Sequence, residues 1–146
     1  MLKLSTKGRY GVRLMLDLAI HSGKGPVSLK DIAKRQEISE KYLWHLIPPL
    51  KNAGLITATR GSHGGYILAK PLRQISLKDI VSVLEGPMCL VECTRAPVSC
   101  KRSPTCITRD VWAEATEKFM GTLASFTLES MIKRHSSKFK TGLYNI

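Results

Sequence analysis

Three short amphipathic segments, followed by a glycine-centred turn, occupy the first half of this 146-residue chain. Each segment begins after a serine or threonine that can cap a helix, and its apolar residues recur at helical spacing. The residues on both sides of the glycine-rich turn are of strand-forming types. An order of helix, helix, helix and hairpin leaves few possible folds for residues 1–86.

The spacing predicts a first helix over 6–22 and a second over about 28–35, where Ser28 and Asp31 stand as in a capping box. Ser39 caps a third helix that begins with SEKYLWHLI. Its predicted buried face is Tyr42, Leu43, Leu46 and Ile47, which leaves Trp44 and the polar residues Glu40, Lys41 and His45 nearer solvent. Because proline removes a backbone donor, Pro48-Pro49 should kink or restart this helix.

Residues 55–60 and 65–69 are expected to form a β-hairpin, with GSHGG as its turn. Arg60 and His63 make the tip of the hairpin basic. Together with the three helices, this hairpin predicts a winged helix-turn-helix domain in a mainly α-helical chain. The third helix has the size that fits the major groove of B-form DNA, and the wing can reach the backbone or the minor groove.

The charge distribution favours a polyanionic partner. The formal net charge is +12, and residues 1–80 carry 14 Lys/Arg against 5 Asp/Glu. Double-stranded DNA is the first expectation, an anionic membrane the second, and a winged domain used for protein contacts is a further alternative. The residues predicted to contact an operator are Lys7, Arg9, Ser28, Ser39, Lys41, Tyr42, Trp44, Arg60, Ser62 and His63.

The second half of the chain has a different organisation. Ser76 caps a helix that ends near Gly86-Pro87, and residues 87–106 form a cysteine-containing loop. A long amphipathic helix should follow over 107–134, with Thr127 capping its last turns, and residues 135–146 suggest a flexible tail. The apolar stripe of the long helix predicts a two-fold homodimer, unless it folds back on the winged domain. The stripe residues predicted at the dimer interface are Trp112, Ala115, Phe119 and Leu123.

All four cysteines lie in the stretch CLVECTRAPVSCKRSPTC, at positions 89, 93, 100 and 106. Structural zinc usually uses C-x2-C knuckles, and this stretch contains none. Disulfides are disfavoured by the expected reducing cytoplasm. An iron–sulfur cluster tolerates ligands that are spread along an open loop, so the spacing favours it modestly over zinc, and reduced unligated thiols remain an alternative.

Other function classes find little support in the sequence. There is no run of 18 apolar residues, and charged residues interrupt the apolar part of the N-terminus, so neither a membrane span nor a signal peptide is expected. The protein should therefore be cytoplasmic. We expect no enzymatic activity, because no acid/base pair, phosphate loop or cofactor fingerprint occurs and the four histidines are scattered.

The sequence resembles the IscR/NsrR family of bacterial regulators, also called the Rrf-two family, from Leu4 to about Ile132. The resemblance is carried by STKGRYGVRLMLDLA, DIAKRQEIS with the following YL, LKNAGL, TRGSHGGY, CITRDVW and TLESMI. It implies a homodimeric winged-helix repressor or activator, and many members of the family carry an iron–sulfur cluster in this loop. Cys93, Cys100 and Cys106 match the family's usual ligands in order. A 2Fe–2S cluster is expected of an IscR-like member and a 4Fe–4S cluster of an NsrR-like member, the former being favoured.

The chain departs from the family pattern at the fourth ligand. Arg109 stands where IscR has a histidine, and the NsrR aspartate corresponds to a position near Arg9. Cys89 is the extra thiol that this sequence offers, with Glu92, a residue of the other subunit or a small exogenous molecule as alternatives. Trp44 replaces a glutamate that influences the choice of DNA site in IscR. The alternative function is a family member without a cluster, controlled by a partner protein or by thiol oxidation.

Overall fold

The computed structural model describes residues 3–144 and contains seven α-helices, three short 3-10 helices and one hairpin. This arrangement confirms the predicted fold class. The elements in chain order are α1 Thr6–Ile20, α2 Leu29–Gln36, α3 Glu40–Asn52, β1 Ile56–Thr59, β2 Gly65–Leu68, a 3-10 turn at Leu72–Gln74, α4 Leu77–Glu85, α5 Glu92–Arg95, 3-10 turns at Pro97–Ser99 and Ser103–Thr105, α6 Ile107–Ser125 and α7 Leu128–Tyr144.

Serine side chains begin four of the helices. The hydroxyl groups of Ser5, Ser28 and Ser39 each accept a hydrogen bond from a backbone N–H of the first turn of α1, α2 and α3. Ser76 forms a reciprocal capping box with Asp79 at the start of α4. These contacts pair backbone donors that would otherwise have no partner inside the helix, and they fix where each helix begins.

Helix α3 runs through Pro48 and Pro49 as one continuous helix, so of the predicted kink or restart the restart does not occur. The two prolines leave the carbonyl groups of Trp44 and His45 without their usual helical donors. Both of these residues are exposed, so water can hydrogen-bond to the two carbonyls. The buried residues on the opposite side of α3 keep the helix continuous against the core.

The hairpin forms the predicted wing. Strands β1 and β2 pair antiparallel, with Ile56 opposite Leu68 and Thr59 opposite Gly65. Val27, just before α2, adds a bridge to Tyr66, with N–O distances of 3.0 and 2.8 Å. A side chain at Gly65 would collide with the backbone of Val27. The wing is therefore hydrogen-bonded to the segment that leads into the helix-turn-helix.

The break between α6 and α7 is tied to the start of α4. The backbone N–H of Leu77 donates to the carbonyl of Phe126 at 2.7 Å, and that of Leu128 donates to Ile75 at 2.9 Å. The side chain of Leu128 is fully buried in the same core as α1 to α4. The segment predicted as a dimerisation helix over 107–134 thus also contributes to the core of the winged domain.

Two predictions on the second half differ from the structure. A flexible tail was expected over residues 135–146, but α7 continues to Tyr144, and residues 145 and 146 lie outside the described part of the chain. Within α7, stacking of His135 on Phe139 and a hydrogen bond from Ser137 to the carbonyl of Lys133 support the helix. The cysteine loop, expected to be irregular, contains α5 and two 3-10 turns.

A buried ion pair joins α1 to α2. Asp17 is 1% exposed and accepts hydrogen bonds from the guanidinium of Arg35 at 2.7 and 3.0 Å and from the amide of Gln36 at 3.0 Å. Burial opposes ionisation of this carboxyl, but the hydrogen bonds from Arg35 and Gln36 outweigh it and lower the pKa of Asp17. The network fixes the angle at which α2 meets α1.

We expect Asp17→Asn to lower the free energy of unfolding by about 1–3 kcal/mol at pH 7, because it breaks a buried charge-assisted network. Since the pKa of Asp17 lies below its usual value of 3.8, this stabilisation is complete above that pH and is lost as the pH falls further. Urea unfolding at pH 7 and near pH 3 measures both effects. Asp110→Asn, in which an exposed carboxyl is changed, is the control. A difference that persists unchanged at pH 3 would contradict the assignment.

Candidate DNA interface and cysteine segment

The N-terminal half of α3 presents its polar and aromatic side chains to solvent. Lys41 and His45 are exposed, and Trp44 is 55% exposed although it is a large apolar residue. Leu43 and Leu46 on the other side of the helix are fully buried. The division into a core face and an open face is the one predicted from the sequence, and it leaves the open face available to a groove of DNA.

Tyr42 packs against the core, as its predicted place on the buried face of α3 implies, but only part of its side chain is covered. It is half-buried and packs edge-to-face on Tyr10 of α1, with the ring centroids 5.4 Å apart. The guanidinium groups of Arg9 and Arg13 lie 5.9 and 5.4 Å from the centre of the Tyr10 ring. Arg13 also donates a hydrogen bond to the backbone carbonyl of Gln36. An arginine–tyrosine cluster therefore extends from α1 to the beginning of α3.

A groove separates α3 from the wing. It is lined by Trp44 and Glu40 of α3, by Ser28 and Lys30 at the start of α2, and by residues 58–61 and 64–66 of the hairpin, including Arg60. The sequence reasoning missed Lys30, although it lies only two residues from the predicted contact Ser28. Glu40 places a negative charge in this otherwise basic groove.

The remaining predicted contacts fall into three groups. Arg60, Ser62 and His63 are exposed around the turn of the wing. Lys7 and Arg9 are exposed on the first half of α1. Ser28 and Ser39 both cap helices, so their hydroxyl oxygens already accept a backbone hydrogen bond, and only their hydroxyl protons are left for a phosphate.

All four cysteine thiols are free in the structure. Cys100 is exposed, whereas Cys89, Cys93 and Cys106 are partly buried. Within residues 3–144 no three side chains of Cys, His, Asp or Glu come together as a group that could hold a metal ion. The four cysteines therefore lie in one segment, but their thiols are not gathered around a common point where they could bind one metal ion.

Cationic side chains surround these thiols. Arg109 donates a hydrogen bond of 3.0 Å to the carbonyl of Cys93 and so joins α5 to α6. Arg95 pairs with Glu92 inside α5. A hydrogen bond with Thr108, 3.2 Å from Sγ, lowers the pKa of Cys106 below its usual value of 9.0, and the backbone of Arg109 contributes in the same direction. Arg109 thus supports the cysteine segment through its guanidinium.

One buried polar atom in this segment lacks a partner. Ser103 is 7% exposed, and its Oγ is the single buried side-chain oxygen or nitrogen found without a hydrogen bond in the described part of the chain. Buried hydroxyls are usually paired. Three soft thiols, nearby cations and this unpaired hydroxyl form a donor set that suits an iron–sulfur cluster in its chemistry, while its geometry requires the loop to close.

The predicted apolar stripe of α6 is open to solvent. None of the residues of Ile107–Ser125 is buried, and Trp112 and Phe119 are 45% and 37% exposed. Ala115 and Leu123 are half-buried. The helix contacts α4 and α5, but these contacts bury none of its side chains, so most of the stripe stays open to solvent.

Comparison with known proteins identifies the family. The Rrf2 family, described as iron-dependent transcriptional regulators, matches residues 4–134. The chain belongs to this family. Protein rrf2 of Nitratidesulfovibrio vulgaris is 46% identical over 132 residues, which cover 90% of this chain and 88% of that protein.

Solved structures agree with this assignment. CymR, the global cysteine regulator of B. subtilis, has a TM-score of 0.78 and 41% identity, covering 92% of this chain and 98% of its own. IscR of T. potens has a TM-score of 0.75 and 45% identity, covering 92% and 88%. The predicted fold and family are confirmed, and this Rrf2-family chain is a DNA-binding transcriptional regulator. Relatives such as CymR of Bacillus subtilis and IscR of Xenorhabdus nematophila are named as transcriptional regulators, not as enzymes.

Among the described residues, no helix combines the length and apolar character needed to cross a bilayer.

The groove between wing and α3 generates a prediction about DNA. Arg60→Ala should weaken operator binding by about 1–3 kcal/mol if this arginine contacts a base edge or a narrow minor groove. Titration of labelled operator at fixed salt measures the change. Arg73→Ala removes the same charge from the exposed 3-10 turn outside the groove and should have a smaller effect. Equal losses for the two variants would mean that the wing contributes only general charge.

Proposed function

We propose that this protein is a homodimeric, cytoplasmic regulator that binds a two-fold DNA operator and whose affinity is controlled by its cysteine segment. The observation that carries the proposal is the combination of an open recognition surface on α3 with four free thiols gathered in residues 89–106. The exposed face of α3 would account for DNA binding, and the four thiols would provide a means to change its affinity.

DNA would be held by the exposed face of α3 in the major groove and by the wing beside it. Lys41 and Trp44, which are exposed on α3, would meet base edges or the backbone, and the exposed Arg60 and His63 would extend the contact from the wing. Lys7 and Arg9 add positive charge on α1, where they can neutralise phosphates. Because binding of this kind releases counterions, the affinity should fall steeply with salt.

The exposed stripe of α6 supports dimerisation. A helix of 19 residues with no buried side chain would leave Trp112 and Phe119 in water in a monomer. A second copy related by a two-fold axis would cover both residues with the corresponding apolar stripe of its own α6. This pairing would also place two copies of α3 at a fixed separation, as a two-fold operator requires.

A negative charge in the stripe should separate the dimer. We expect Trp112→Glu and Phe119→Glu to yield monomers whose operator affinity is about tenfold lower or weaker still, because each half-site is then bound alone. Light scattering gives the oligomeric state. Gly121→Glu is the matched control, since residue 121 is exposed and has open space around it. If both stripe variants still form dimers, the stripe is not the dimer interface and instead makes contacts within one chain.

An iron–sulfur cluster is the form of control that the donor set supports best. Cys93, Cys100 and Cys106 would hold it through their thiolates, and the cationic residues around them would offset its negative charge. When bound, the cluster would supply a group that can be oxidised or lost. The chain's own part is to bind it between α5 and α6, so that the loop becomes ordered next to the long helix. A 2Fe–2S cluster is our first expectation and 4Fe–4S the second.

Control by the thiols alone is a second candidate. It is favoured by the separation of the four thiols in the structure and by the similarity to CymR, which is named as a cysteine regulator. In this case a partner protein or oxidation of the cysteines would change the affinity for DNA. The protein would then be colourless when purified without oxygen.

Replacing any one of Cys93, Cys100 or Cys106 with Ala should abolish visible absorption, since two protein thiolates rarely retain a cluster. Absorption spectra with iron and sulfide counts, recorded without oxygen, measure this effect. Cys89→Ala tests the fourth ligand: a labile or altered cluster would assign Cys89 to it, and an unchanged spectrum would not.

The effect of the cluster on DNA binding is measured separately from the absorption spectrum. Operator affinity should differ between the loaded protein and Cys93→Ala by more than the affinity for random DNA does. If loaded protein, cluster-free protein and Cys93→Ala bind the operator equally, the control by a cluster is excluded while DNA binding stands.

A further inference from the structure

Glu40 is the one acidic residue among the described residues that line the groove between α3 and the wing. The same groove is lined by the cations Lys30 and Arg60, and Glu40 is exposed. No ion pair found in the described part of the chain includes Glu40. In the protein without DNA, its carboxylate is therefore available to a hydrogen-bond donor from another molecule.

A carboxylate in this groove affects DNA binding in two opposite ways. It repels phosphates, so it lowers the affinity for DNA of any sequence. It also accepts hydrogen bonds and donates none. In the major groove the donors are the amino groups of cytosine and adenine, and the adenine amino group stands beside the acceptor N7 of the same base. Cytosine offers its amino group without such an acceptor, so it is the base that a carboxylate fits best.

The position of Glu40 along α3 brings its carboxylate to the end of the helix that would contact bases. Glu40 is the first residue of α3, and the hydroxyl of Ser39 caps the helix by accepting a hydrogen bond of 3.1 Å from the backbone N–H of Tyr42. The N-terminal residues of a recognition helix are those that contact base edges. Trp44 lies one turn further along the same side of α3, where its exposed ring can contact a thymine methyl group.

An acidic residue in the first turn also stabilises a helix through the helix dipole, and Glu40 is in that turn. This effect alone would account for a carboxylate at the start of α3, but it requires neither a groove nor a base. The two roles differ in what they change. The dipole effect changes the stability of the protein, whereas a base contact changes the ratio of the affinities for two DNA sequences.

We propose that Glu40 is a specificity-determining residue, whose carboxylate accepts a hydrogen bond from the amino group of a cytosine in each half-site of the operator and disfavours other DNA. The inference rests on the proposed function, in which the exposed face of α3 lies in the major groove. The cations of the same groove attract DNA of any sequence. Glu40 makes the net attraction depend on the base that faces it.

Glu40→Gln keeps the length of the side chain and removes its charge. The affinity for random-sequence DNA should rise about two- to fivefold, because a repulsion with phosphates is lost. The preference for cytosine at the contacted position should fall about tenfold. Since glutamine pairs with both N6 and N7 of adenine, the preferred base at that position should change from cytosine to adenine.

The experiment selects binding sites from a random duplex library with the full-length wild type, Glu40→Gln and Glu37→Gln in parallel. Glu37→Gln removes the same charge from an exposed residue in the turn before α3, outside the lining of the groove, and should select the same sites as the wild type. The selected operator, its cytosine-to-adenine variant and a random duplex are then titrated at one salt concentration. Urea midpoints give the stability of each protein.

A cytosine of the wild-type sites that becomes adenine, or is no longer preferred, in the Glu40→Gln sites supports the inference. The inference is overturned if both proteins select the same base at every position, whether or not the urea midpoint changes. It is also overturned if Glu40→Gln gains affinity equally for the operator and for random DNA, because the carboxylate then only repels phosphates. If the wild type selects no common sequence, the proposed binding of an operator by α3 fails as well.

Discussion

The close packing of α1 against α4 is the constraint on which the rest of the structure depends. At Gly8 and Gly11 an added side chain would meet the side-chain ends of Glu85 and Leu84 of α4, so the two glycines let these side chains lie directly against α1 without shifting. The carboxylate of Glu85 then accepts hydrogen bonds of 3.1 Å from the backbone N–H groups of Ser5 and Gly8. The same contact holds the N-terminal turn of α1 and the end of α4, after which the cysteine segment begins.

With this packing, the exposed face of α3 and the cysteine segment lie at opposite ends of a continuous set of contacts. From α1, the buried Asp17 holds α2, and Tyr10 packs on Tyr42 at the start of α3. From α4, the chain passes through Cys89 into the cysteine segment, where Arg109 joins α5 to α6. Under the proposed function, a change in the order of the cysteine segment would act on the ends of α4 and α6, and from α4 it would reach α1 and the DNA-binding elements through packed side chains.

The return of the chain to the core limits how far α6 can move. Leu128 is fully buried among residues of the winged domain, and backbone hydrogen bonds from Leu77 and Leu128 fix the break between α6 and α7. One end of α6 is thus anchored to the domain, and the other end begins at Cys106. In the proposed dimer, a helix held in this way would connect the cysteine segment of one subunit to the partner subunit along its exposed apolar stripe.

The sequence by itself determined helices α1 to α4, the wing and the exposed face of α3, because these depend on local caps, on helical spacing and on turn residues such as those of GSHGG. The sequence also shows that all four cysteines lie close together, within residues 89–106. Only the tertiary structure decided that α3 continues through Pro48 and Pro49, where packing of the buried face outweighs two missing backbone hydrogen bonds. Likewise, the pairing of Asp17 with Arg35, the burial of Leu128 and the unpaired hydroxyl of Ser103 result from contacts between segments that are distant in sequence or from the local folding of a loop, which spacing alone does not specify.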